Sequence, residues 1–210
     1  MHSGVVVELQ VPALRGVQLE VDHGLFSPAD RIVARALNSI EPAAKLRRFF
    51  DLYPSMADIT VRLADYFADL VPAPAVEACS LFERCFRSAL HELSKCRFYR
   101  NSVAFEDMQV AAYLYGLLRH VDDVLDVHVT AVLADGAVIW PSLDMPISAW
   151  RASVSGVQTL TVQKIASCMT LDERNAARYC IIAKLLSQHD LVAIGGSLCE
   201  FDRAPSILSA

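Results

Sequence analysis

The densest group of ionisable side chains in the sequence is Arg119, His120, Asp122, Asp123, Asp126 and His128. Carboxylate and imidazole together make the ligand set that zinc, manganese or iron prefers. A divalent ion held there would turn water into a nucleophile against a phosphate ester. His120, Asp122 and Asp123 are the candidate metal ligands, with His91 a more distant fourth. Helical spacing works against convergence, since His120 shares a face with Asp123 while Asp122 shares one with Asp126. A polar turn at the end of a buried helix, reaching solvent, explains the same residues without any metal.

A second constellation is basic. Arg84, Arg87, His91 and Lys95 are spaced three, four and four apart, hence one stripe along a helix, with Arg97 and Arg100 beyond it. Arg84, Arg87 and Lys95 are the candidate nucleic-acid contacts, through phosphates. A solvated helix face is the commoner meaning of such a stripe. Asp122 to Asp126 also spells D-D-x-x-D, a magnesium–diphosphate pattern that requires a barrel of many long helices around it. No G-x-S-x-G, phosphate-binding glycine loop or C-x-x-C pair is present, so no catalytic residue and no cofactor is assigned.

The acidic run begins where a buried helix must end. Val110 to Leu118 is apolar all round, which marks the centre of a domain, because a surface helix shows a polar stripe. Around it the spacing predicts helices from Ser27-Pro28, from Pro42, from a Ser55 cap with Asp58 as its capping-box partner, and from about Val76 to Cys96. After Leu125 the period changes to two, predicting a hairpin that turns at Ala134-Asp135-Gly136 and returns to Trp140. A short helix over Ile147–Val154, a strand over Gln158–Val162, and a helix from the Thr170–Glu173 capping box to about Gln188 follow, with Leu191–Ile194 strand-like. At the other end, Val5, Val7, Leu9 and Val11 alternate, as do Val17, Leu19 and Val21. The expected fold is mainly α (α+β): a compact helical domain over 27–210 with a small antiparallel β-hairpin, preceded by a short N-terminal β-hairpin over 1–26.

Composition fits that reading. Of 210 residues, 54% are apolar and 20% charged, enough to bury a real core. A net charge of −5 argues against a dedicated nucleic-acid binder, so DNA is at most a weak partner. The cysteines at 79, 85, 96, 168, 180 and 199 read as reduced core thiols. With no leader segment and no apolar run long enough to span a bilayer, a cytoplasmic protein without a membrane role is expected. Unpaired edge strands recruit other strands, so self-association or a protein partner is expected as well.

Three blocks in order resemble the TraI-like domain of MobH-class conjugative relaxases, an HD-type helical domain of plasmids and integrating conjugative elements. They are Phe49–Pro74, Cys79–Leu93 and Ala111–Leu143, the last being a helix followed by a D-V-x-V-T…D-G…W-x-P-like hairpin. The resemblance implies an HD-like fold for the helical domain. It also implies lost ligands: the family's helix histidine falls on Arg84, its His-Asp pair on Arg119 and His120, and its Gly-Lys on Asp122-Asp123. Arginine cannot ligate a cation. The resemblance therefore implies an inactive relative serving as a binding or assembly module in DNA mobilisation. The alternatives are a metal-dependent phosphohydrolase using a shifted set, and a DNA-binding accessory protein.

Overall fold

The computed structural model describes residues 17–19, 28–38, 43–68, 70, 79–96, 105–165, 168–187 and 190. The described residues are mainly helical and carry one antiparallel sheet, the fold class expected from the sequence. Helices α1 (Ala29–Asn38), α2 (Ala43–Leu52) and α3 (Pro54–Phe67) come first, then α4 (Leu81–Lys95) and α5 (Phe105–Leu118). A 3-10 segment, Val121–Asp126, leads into β2 (Val127–Leu133) and β3 (Gly136–Ile139). Helix α6 (Ile147–Ser153), β4 (Thr159–Lys164) and α7 (Leu171–Leu185) complete the described chain, and β1 is Val17–Leu19.

Helix α5 is the buried centre its composition requires. Tyr113 and Leu117 are fully buried, Leu114 nearly so, and the Tyr113 hydroxyl shares a 2.7 Å hydrogen bond with Thr60 of α3. Its seam with α4 is tight because Gly116 has no side chain. A Cβ there would lie 2.5 Å from both the Ala89 Cα and the Ser88 carbonyl oxygen. Phe82, Phe86 and Ala89 of α4, and Ile59, Leu63 and Phe67 of α3, fill the surrounding core.

Two helix starts differ from expectation. Helix α3 begins at Pro54, and neither Ser55 nor Asp58 caps it. Proline's fixed φ and missing N–H suit the first helical position, so the helix starts two residues early, after Tyr53 and without a side-chain cap. Helix α4 starts at Leu81, later than the expected Val76; residues 76–78 lie outside the described residues. Its start is a capping box: the Ser80 hydroxyl accepts from the Glu83 N–H at 3.1 Å, and Ser80 N–H donates back to the Glu83 carboxylate. The Thr170–Glu173 box opens α7 as expected.

The expected hairpin is β2–β3, in the register Thr130 opposite Ile139 through Leu133 opposite Gly136. Gly136 has φ of 155°, a conformation that side-chain-bearing residues avoid. In the sheet order β1-β4-β2-β3, β1 pairs with β4 through Val17–Val162 and Leu19–Leu160. The strands expected at Val5–Val11 and Leu191–Ile194 lie outside the described residues. Val127, Val129 and Ala131 of β2, with Leu160 and Val162 of β4, turn one face of the sheet into the core.

Candidate functional site: an arginine-braced turn

The polar run leaves the C-terminal end of α5 as a turn at residues 119–120 followed by the 3-10 segment. Asp122 and Asp126 both meet one side chain of α7, Arg174. Arg174 donates through Nε to Asp122 at 2.7 Å, through Nη1 and Nη2 to the two Asp126 oxygens at 2.9 and 3.0 Å, and through Nη2 to the Asp122 carbonyl at 3.1 Å. This planar fork is matched to carboxylate geometry, and it holds the Arg174 proton even more firmly than usual, first through Asp126 and then Asp122. One helical turn on, Arg178 donates to the Leu118 carbonyl at 3.3 Å, satisfying an end group of α5.

Asp123 faces the other way. Arg84 of α4 donates to it at 2.8 Å, and His120 Nδ1 stands 3.9 Å from the same oxygen. His120 is held below its ordinary pKa of 6.5 chiefly by burial. Asp123 opposes that effect, while the neighbouring Arg119 and Arg84 add to it. Arg119 takes a different partner, lying 3.8 Å from Glu92, a carboxylate 1% exposed that Lys95 also meets at 3.0 Å. Arg84 and Arg119 thus flank His120 while engaging separate carboxylates. Beneath them Cys85 is fully buried, and desolvation raises its thiol far out of the nucleophilic range.

The structure therefore brings together His120, Asp123 and Arg84, and separately Asp122, Asp126 and Arg174. His91 is on the exposed side of α4. His128 is exposed on β2, lining a different cleft of about 380 Å³ with Ile139, Trp140 and Cys168. Among the described residues, no three histidine, cysteine or acidic side chains lie close enough together to hold a metal ion. The basic stripe exists on α4, but two of its cations are committed, Arg84 to Asp123 and Lys95 to Glu92, and Arg87 is exposed. Cys79, Cys85 and Cys96 are buried free thiols; Cys168 and Cys180 are exposed, contrary to a core role, because the outer side of α7 and the loop before it face solvent.

Arg174 and Arg178 escaped the sequence reading. The available signal was a pair of arginines four apart on the same face as Ala177 and Ile181, where an amphipathic helix would carry apolar residues.

No known family, curated protein or solved structure matches the chain. Among the described residues no helix is long and apolar enough to cross a membrane.

Proposed function

We propose that the chain is a catalytically inactive HD-like domain, related to conjugative relaxases, that works as a binding or assembly module in mobile-element DNA transfer. The observation that carries the inactive reading is the commitment of all three carboxylates of the turn to arginine: Asp122 and Asp126 to Arg174, and Asp123 to Arg84. An HD centre needs neutral imidazole and free carboxylate around one ion. Here permanent cations sit on the carboxylates, and no accessible pH removes them. The residues do not fit a divalent metal. The link to relaxases is supported by the three resembling blocks, which fall in order on α2–α3, on α4, and on α5 through β3. The free thiols at exposed Cys168 and Cys180 support a cytoplasmic setting.

Metal analysis and turnover test this reading. Purified protein is expected to carry no stoichiometric zinc, manganese, iron or nickel, and to leave phosphomonoester and phosphodiester substrates intact. Saturating Mn²⁺ is expected to leave the melting temperature unchanged, whereas a ligand at 100 times its dissociation constant adds about 2.7 kcal/mol. One equivalent of metal, lost in His120→Ala or Asp123→Ala, would establish the shifted-site phosphohydrolase instead.

A further inference from the structure

Strand β3 ends the sheet, and all four of its residues, Gly136 to Ile139, are exposed. The direction of its backbone groups follows from the register. Trp140 N–H donates to the Val129 carbonyl at 2.8 Å, and Val138 lies opposite Ala131 and Gly136 opposite Leu133. Bonded and non-bonded pairs alternate in an antiparallel ladder. The N–H and C=O groups of Val138 therefore face β2, while those of Ala137 and Ile139 face away from it. Among the described residues nothing pairs with that outward row.

Natural sheets blunt such an edge by keeping it very short or with charge, proline or a bulge. At four residues β3 is short, but Gly-Ala-Val-Ile carries no charge, proline or bulge, and Val132, Val138 and Ile139 leave apolar surface around it at 37%, 38% and 57% exposure. We propose that β3 pairs antiparallel with β3 of a second copy, about a two-fold axis passing at Val138, joining the two sheets into one.

Registers that use the outward groups are open, and the proposed one is centred on Val138. In it, Ala137 exchanges hydrogen bonds with Ile139 of the second copy, and Val138 faces its own counterpart. Residues opposite each other share a face, so each Ile139 covers the small Ala137 of the other copy. A strand that meets itself must carry no charge near the axis, because like charges directly opposite repel. Here β3 carries none. The adjoining Asp135 is three positions from the axis, so its two copies stand on the order of 20 Å apart at ~3.3 Å per residue. That exceeds the screening length of about 8 Å at physiological salt. A four-residue strand pair falls below the roughly 1,200 Å² buried by specific, stable interfaces, so the dimer is weak and concentration-dependent. It stands independently of whether the arginine-braced turn holds metal.

Sedimentation velocity on the full chain, from micromolar to millimolar concentration, is expected to show a monomer passing to a dimer. Val138→Lys, which sets two cations against each other at the axis, is expected to remain monomeric, with its fold checked by circular dichroism. Register is read by cross-linking in a background with Cys168, Cys180 and Cys199 changed to serine. Val138→Cys is expected to form a disulfide-linked dimer under mild oxidation, since non-bonded opposite pairs bring Cα atoms to about 4.5 Å. Asp135→Cys is expected not to. A wild-type monomer at every concentration overturns the proposal, as does equal cross-linking of the two cysteine variants or unchanged dimerisation of a folded Val138→Lys. If Val138→Lys does not fold, the pair of cysteine variants decides.

Discussion

Arg174 binds two carboxylates and a carbonyl with one side chain, so its loss is felt at three acceptors simultaneously. Arg174→Ala would leave Asp122 and Asp126 beside each other with no cation between them. Hydrogen bonds to charged groups contribute about 1.5–3 kcal/mol, and partial exposure screens some of it. The expected loss is therefore about 1–2 kcal/mol, read as a lower urea midpoint with an unchanged slope. Arg174→Lys keeps the charge but not the fork, and is expected to restore only part of it. At this scale the sequence was least informative. It displayed the acids of the turn, but their meaning depended on which cations arrived from α4 and α7, 39 and 48 residues away in the chain. Spacing along one helix carries no information about a side chain supplied by another.

Elements were far more legible, because periodicity and capping are local. The buried helix, the hairpin and the capping box of α7 all followed from patterns within a few residues. The start of α4 was missed although Ser80 and Glu83 spell the same capping box, since apolar residues upstream extended the helical period past it. Helix α5 yields two expectations of stability. Leu117→Ala should cost about 2–5 kcal/mol, the range for a fully buried leucine that leaves a cavity. For Gly116→Ala two effects compete. Alanine favours a helix by about 0.8–1 kcal/mol over glycine. Against that, the new methyl would meet backbone atoms of α4 at 2.5 Å, which no rotamer can relieve. Overpacking of this kind costs about 1–3 kcal/mol, so net destabilisation is expected in thermal or urea unfolding.

Across the molecule, stability should depend on pH in two separate windows. His120 is held below 6.5 in the folded chain, so below that pH the unfolded chain binds the proton more readily. Its contribution is complete above the unfolded value and is lost as pH falls through 6.5 toward the lower folded value. Asp190 is also held low: its burial acts the other way, but Ser187 and Arg62 outweigh it. Its contribution is present above the ordinary 3.8 and is lost only in stronger acid. Urea unfolding at a series of pH values is expected to show the first loss just below pH 6.5, and His120→Asn should remove that loss while leaving the acid limb. A first limb unchanged in His120→Asn would assign it to another group. The mainly helical class was readable from composition and period, yet the place of β1 was not. It lies against β4, a strand more than 100 residues later, and sheet order of that kind arises only from the assembled fold.

The brace from α7 also fixes an order of events during synthesis. Asp126 precedes Arg174 by 48 residues. At ribosomal speeds of about 5–20 residues per second, roughly two to ten seconds separate the making of the acids from the making of the arginine that joins them. Through that interval α5 and its exit turn are already polymerised, with Asp122 and Asp126 still waiting for Arg174. The corner between the helical core and the sheet is therefore closed late, by a residue translated after both.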